Sequence, residues 1–364
     1  MKTVRRVPLF GLVLFICFFC VNAAGSAVSP DLKIHVTDPK LPNVAIVTTG
    51  GTIAEKADAK TGKSVPTVSG EELVKAVPGL AKVANIGVLN FMNIDSSQMT
   101  PGIWLKLSKK VNEIIKRPDI AGVVVTHGTD TMAEGAYFLE LTVHSDKPVV
   151  FTGAMKDASD PCPDGPANIL NAVIQASSKE ALGWGVTVTL NNYVNGARDV
   201  RKTQTTNVQT FESGEKGYLG YVYDGKVRRF NDRICKIKFP LPSKLPPVVF
   251  FSTYAGDRGD FIRYAVDKGA KGLVIDALGA GNVNAETCDA ILYALSKNIP
   301  VVISTRVYYG SVVPAYGDHG GGGMLEKKGA ILAGDLMGTK ARLLLMLALA
   351  EVGNNPEKLK SYFE

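Results

Sequence analysis

The chain has 364 residues, more than one core of ordinary size takes up, which points to two domains. Hydrophobic residues make up 46% and charged residues 21%, a globular balance that excludes bulk disorder. The formal charge of +7 is spread along the chain without a basic run interleaved with aromatics, which excludes nucleic acid as a partner.

The first residues read as a targeting device. Lys2, Arg5 and Arg6 give a positive start, Val7–Val21 is almost wholly apolar, and Val21-Asn22-Ala23 supplies small residues at a cleavage spacing, with Gly25-Ser26-Ala27 as a second candidate. The apolar run falls short of the roughly 20 residues of a spanning helix. Residues 1–23 are therefore expected to be a signal peptide and the mature chain, of charge 7 − 3 = +4, to be periplasmic or secreted, with no membrane attachment after its removal. Cys17 and Cys20 leave with that segment. Cys162, Cys235 and Cys288 remain, at spacings that fit neither a disulfide framework nor a zinc site, and at most one bridge can form among them. No metal and no cofactor is expected.

From Asn43 onward, short apolar runs alternate with amphipathic stretches. Val44–Val47, Gly122–Thr126, Pro148–Thr152 and Val186–Leu190 read as buried strands. Ser69 with Glu72 forms a capping box, and Thr100-Pro101 sets a cap before a proline at the first helical position. Continuous apolar strands separated by helices imply a mainly parallel sheet covered on both faces, with sites at the carboxyl ends of its strands. Pro240, Pro242, Pro246 and Pro247 then mark residues 239–247 as a linker. It separates residues 40–238 from a smaller α/β unit over 248–364, with strands at Val248–Ser252, Gly272–Asp276 and Pro300–Ser304 and helices near Asp260–Lys268, Ala285–Lys297 and Thr339–Val352. Gly320–Gly323 reads as a loop.

Three places along the chain carry residues suited to chemistry. After the first strand, Thr48-Thr49-Gly50-Gly51-Thr52-Ile53 allows a tight turn that holds a hydroxyl near exposed backbone N–H groups, as a nucleophile needs; the plain alternative is a Gly-Gly turn. After Gly122–Thr126, His127-Gly128-Thr129-Asp130-Thr131 puts a hydroxyl and a carboxylate at a strand end, where Thr129 or Asp130 could also merely cap the next helix; His127 reads as structural. Asn195-Gly196 suggests a turn before Asp199-Val200-Arg201-Lys202-Thr203, whose lysine is either a surface residue or, if buried, a base.

The order of these motifs, with Thr152-Gly153-Ala154-Met155, Asp164-Gly165-Pro166 and Arg198-Asp199-Val200-Arg201-Lys202-Thr203, resembles the L-asparaginases from about Asn43 to Glu364. Export is similar to the secreted branch, while Asp95-Ser96-Ser97-Gln98-Met99-Thr100-Pro101 is closer to the cytoplasmic one. The resemblance implies a larger flavodoxin-like doubly wound N-terminal domain, a smaller α/β C-terminal domain and a homotetramer. It implies Thr52 as nucleophile, a Thr129, Lys202 and Asp130 group, and substrate contacts from Gly51, Ser96, Ser97, Thr129, Asp130 and Ala154. Ala154 and Thr129 present the oxyanion N–H groups, Ser96 takes the substrate α-carboxylate and Asp130 the α-ammonium. Asn282 is lent by a neighbouring subunit. Ser97 stands where many secreted members carry glutamine.

One departure stands out: the family tyrosine on the loop after the nucleophile is missing, since the first tyrosine is Tyr137. The loop, from Glu55 to Pro66, keeps a glycine at Gly62 and the rigid Val65-Pro66, and Tyr308, Tyr309 and Tyr316 are candidate substitutes. The expected activity is hydrolysis of the asparagine side-chain amide to aspartate and ammonia through an acyl-threonine. A broader glutaminase-asparaginase and an exported amino-acid-binding protein of weakened catalysis are the alternatives.

Overall fold

Five runs rich in β-branched residues, Asn43–Thr48, Asn85–Asn90, Ile120–Thr126, Val149–Thr152 and Val186–Leu190, lie parallel in a computed structural model that describes residues 32–57, 61, 64–66, 69–234 and 237–364. The expected signal peptide, Gly62 and Cys235 lie outside the described residues. In chain order the strands sit second, first, third, fourth, fifth, the doubly wound order of flavodoxin-like folds. Ile34–His35 adds an antiparallel edge at one side, and Tyr193–Gly196, Gly220–Tyr223 and Lys226–Arg229 extend the other, giving nine strands.

Both faces of the parallel strands are buried, and the side chains alternate between two cores. Ala45, Val47, Val123, Val125, Val149 and Phe151 face one; Val44, Ile46, Val124 and Val150 face the other. Helix Pro101–Ile115 covers the first face with Trp104, Leu107, Val111 and Ile114, a one-sided stripe at helical spacing. Each such side chain contributes about 1.5–3 kcal/mol by leaving water. Thr100 caps that helix by accepting from the Ile103 N–H, and the Ser69–Glu72 capping box closes in both directions. Helix Gly165–Ser177 covers the second face with Ile169, Ala172, Val173 and Ala176.

After the proline-rich stretch, Val248–Ser252, Gly272–Ala277, Val301–Thr305 and Ile331–Leu332 form a second parallel sheet. Its Leu273, Ile275, Val301 and Ile303 pack with helices Asp260–Asp267 and Ala285–Ser296. Val274 and Val302, on the opposite face, join helix Gly338–Val352 and the first core. That helix is thus the seam between the two sheets.

Two local expectations change. Asn195-Gly196 is the end of a strand; the turn lies earlier, at Asn191 and Asn192, whose φ values of 47° and 71° match the hairpin twist. The Gly320–Gly323 run is not an open loop: Gly321, Gly322 and Gly323 are buried and lead into helix Gly322–Lys327. A Cβ at Gly320, where φ is +94°, would lie 2.2 Å from the Val283 carbonyl oxygen. Close packing, not mobility, accounts for those glycines.

Candidate active site

The strand order reverses between Asn43–Thr48 and Ile120–Thr126, so the loops at their carboxyl ends part and leave a crevice. Thr49 ties the two ends together, donating its N–H (3.0 Å) and hydroxyl (2.9 Å) to the Thr126 carbonyl. Gly51, with φ +82°, then passes so close to Gly128 that an added Cβ would sit 2.2 Å from the Gly128 Cα. A Cβ on Gly128 would sit 2.7 Å from Ser96 Oγ. Loops from three strands therefore meet backbone to backbone, and only glycine fits at the crossing.

Thr52 opens a single 3₁₀ turn, Thr52–Ala54, closed by the Glu55 N–H bonding the Thr52 carbonyl. Side chains three apart eclipse on a 3₁₀ turn, so Glu55 lies over Thr52, with its carboxylate beside the Thr52 side chain. Glu55 is buried. Burial and then Asp95 push its carboxyl above the usual carboxylate range, Asp157 and Asp130 add to this, and the Thr52 side chain opposes it.

Thr129 and Asp130 do not cap the following helix, Met132–Thr142, which starts after Thr131 without a side-chain cap. Their side chains turn to Lys202 instead. Its ammonium donates to Thr129 Oγ1 at 2.9 Å and Asp130 Oδ1 at 2.7 Å. The Lys202 side chain is 20% exposed and that of Asp130 60%, so the surface reading of the lysine fails and the carboxylate faces open space. Ser96 is buried, and its hydroxyl accepts the Asp130 N–H at 3.2 Å. Ser97, one residue on, is exposed and its N–H is held by Asp95 at 2.7 Å.

Ala154 follows Val149–Thr152 and is buried. Asp164 fixes its loop, accepting from the Met155 and Lys156 N–H groups. His127 is structural, as expected: Trp104 donates to its Nε2 at 3.3 Å, so Nδ1 carries the proton toward the Gly128 carbonyl at 2.7 Å. Burial lowers its pKa to about 4, which keeps the ring neutral.

Asn282 is not part of this group within one chain. It lies beyond the second sheet's Gly272–Ala277 strand, where its Oδ1 accepts the Gly322 N–H at 3.3 Å. The candidate substitute Tyr308 lies under the Arg201 guanidinium, 4.7 Å from carbon to ring centre, with Tyr309 edge-on to it. Cys162 and Cys288 are unpaired, the latter buried. Among the described residues no group of three His, Cys, Asp or Glu side chains could hold a metal ion.

Two supports of Lys202 carried no signal in the sequence. Lys340, at the start of helix Gly338–Val352, is buried and donates to the carbonyls of Ala197, Arg198 and Val200 at 2.8, 2.8 and 2.6 Å, fixing the segment that leads into Lys202. Lys340→Met keeps the apolar stem and strips three carbonyls of their donor. We expect it to lower unfolding stability by about 3 kcal/mol, read from denaturant midpoints. An unchanged midpoint would show that water replaces the ammonium there.

Asp335 is the second support. Arg198 Nη2 at 2.5 Å and Lys216 Nζ at 2.8 Å grip it from the chain before the proline-rich stretch. Burial acts to raise its pKa, but hydrogen bonds from Lys216 and Arg198 prevail and hold it at about 2, below the ordinary 3.8. A lowered carboxylate stabilises the fold above about pH 4 and loses that contribution as pH falls toward 2. With the side chain 27% exposed, solvent screening leaves about 1 kcal/mol. Asp335→Asn is therefore expected to lie below wild type in urea midpoint at pH 6, with the gap narrowing at pH 2.5. An equal gap at both pH values would show that the ion pairs contribute nothing.

The chain matches two family models, "Asparaginase, N-terminal" over residues 43–235 and "Glutaminase/Asparaginase C-terminal domain" over residues 247–363. It is 36% identical to the L-asparaginase 2 of Bacillus subtilis, over 100% of this chain and 99% of that one. It is 39% identical to a probable periplasmic L-asparaginase of Haemophilus influenzae, over 89% of this chain and 93% of that one. Among solved structures, a probable cytoplasmic L-asparaginase from Campylobacter jejuni superposes with a TM-score of 0.81 at 40% identity, covering 88% of this chain and 99% of its own.

Proposed function

The chain belongs to the asparaginase family, and from that premise we propose that it hydrolyses the side-chain amide of L-asparagine to L-aspartate and ammonia through an ester on Thr52. The observation that carries the reading is the double contact of Lys202 with Thr129 and Asp130 beside the Gly51–Gly128 crossing. Binding an amino acid needs no such arrangement; moving protons does.

Asparagine enters with its α-ammonium on the open Asp130 carboxylate and its α-carboxylate on the Ser96 hydroxyl, with Gly51 and Ser97 lining the same end. This places the amide carbon before Thr52. As Thr52 Oγ adds to it, negative charge grows on the carbonyl oxygen, where the N–H groups of Ala154 and Thr129 receive it. The Lys202 ammonium donates to the Thr129 oxygen, which leaves the Thr129 proton free to turn to the departing nitrogen. Thr129 delivers that proton and recovers one from Lys202, so ammonia leaves and the Thr52 ester remains. Water then attacks the ester and frees aspartate.

We further assign residues 40–238 and 248–364 as the two domains joined by the 239–247 linker. The chain is read as an exported protein, periplasmic or secreted, that works as a homotetramer in which Asn282 completes a neighbour's site. Export rests on the Lys2–Ala23 pattern and on the periplasmic relative.

A coupled ammonia assay with asparagine, glutamine and their D-isomers tests the reading. Ammonia from L-asparagine in preference to the others supports it; substrate binding without ammonia from any of them points to a binding protein.

A further inference from the structure

The proton that Thr52 must lose needs an acceptor. Lys202 is engaged with Thr129 and Asp130, and the loop after Thr52 carries no tyrosine. Every other side chain placed at the site so far belongs to substrate binding or to the leaving group. Glu55 is the exception. It is eclipsed with Thr52 on one 3₁₀ turn and buried, with its carboxylate beside the Thr52 side chain. Its backbone is fixed on both sides: its N–H bonds Thr52, its carbonyl accepts the Ala158 N–H at 3.1 Å, and it pairs with Pro66 across a short hairpin.

We propose that Glu55 is the general base of this enzyme, taking the Thr52 proton in place of a loop tyrosine. The assignment rests on Thr52 being the nucleophile. In the first step the Thr52 Oγ–carbon bond forms as the hydroxyl proton passes to a Glu55 carboxylate oxygen. The C–N bond breaks as Thr129 protonates the nitrogen and Lys202 reprotonates Thr129. Ammonia has then left, Glu55 is neutral and so is Lys202. In the second step water adds to the ester carbon and gives one proton through Thr129 back to Lys202. Glu55 returns its proton to Thr52 Oγ as the ester bond breaks. Both groups end as they began.

The surroundings suit that task. The carboxylates facing Glu55 come from three separate loops, Asp95 after Asn85–Asn90, Asp130 after Ile120–Thr126 and Asp157 after Val149–Thr152, and Lys202 offsets the Asp130 charge. Together with burial they make Glu55 more basic than an ordinary glutamate, closer to the working pH of a general base.

The test compares Glu55→Gln, Glu55→Asp and Thr52→Ala for asparagine hydrolysis across pH 4–9. Glutamine keeps the shape and cannot take a proton, so kcat should fall by about 10²-fold with KM little changed, and the acid limb of the kcat profile should disappear. Aspartate should restore part of the rate and bring the limb back at lower pH. Three results overturn the proposal: a Glu55→Gln enzyme with wild-type kcat and an unaltered acid limb, one that is faster than wild type, or one in which only KM rises. The last would make Glu55 a ligand of the substrate ammonium. Activity surviving in Thr52→Ala would instead overturn the nucleophile assignment, so the two failures are told apart.

Discussion

Thr52→Ala is expected to abolish asparagine turnover, by about 10⁴-fold or more, while the fold stays intact. The loss is large because no step in the scheme proceeds without an oxygen at this position to carry the aspartyl group. The fold should hold because the turn is set by Gly50 and Gly51, whose backbone shapes and close approaches to Ile94 and Gly128 do not involve the Thr52 side chain. The substitution also leaves the Glu55 backbone untouched, since its N–H bonds the Thr52 carbonyl and not the side chain. Matching circular dichroism and denaturant midpoints would establish that the fold is preserved. Turnover near the wild-type rate would place the nucleophile elsewhere, with Thr129 the next hydroxyl to examine.

Lys202→Met is the second large effect. Methionine retains the apolar stem and removes the ammonium, so Thr129 loses the donor to its oxygen and Asp130 its ion-pair partner. Turnover should fall by roughly 10²–10⁴-fold, the usual worth of positioned proton transfer. Affinity should change less, since the Asp130 carboxylate and Ser96 hydroxyl that hold the substrate remain. Comparing kcat with KM checks this: a fall in kcat with KM little changed is expected, and an unchanged kcat would return Lys202 to the status of a surface lysine. Stability should fall only modestly, because the Asp130 partner is largely exposed.

Much of this site could be read from residue order, because strand ends in a doubly wound sheet are local features. A β-branched run followed by glycines and hydroxyls marks the end of Asn43–Thr48 and of Ile120–Thr126, and the sheet order brings those ends together. What the sequence left open was whether Lys202, distant in sequence from Asp130, would reach it. That contact is made through a two-residue strand, Arg201–Lys202, paired with Phe211–Glu212, too short to show any periodicity. Asn195-Gly196 misled because Asn-Gly is a strong turn signal, yet here the turn is made by Asn191 and Asn192 in left-handed conformations. Lys340 was invisible since a lysine in the first turn of a helix reads as solvent-facing; only the fold shows three carbonyls waiting for its ammonium. Glu55 could have been found. A carboxylate three residues after a nucleophile is a signal if the intervening turn is 3₁₀, and a loop reading has no means of supplying that geometry.

With Thr52 as the nucleophile, turnover passes through a covalent aspartyl ester on its oxygen. Acid quenching of the enzyme during turnover with asparagine, followed by proteolysis and mass spectrometry, tests it directly. The experiment is run on the wild type and on Lys202→Met, where water lacks its proton acceptor in deacylation. The expected result is a mass gain of one aspartyl group on the peptide that contains Thr52, absent from Thr52→Ala. An aspartyl group found on the peptide containing Thr129 instead, or turnover with no covalent species in either enzyme, would contradict it.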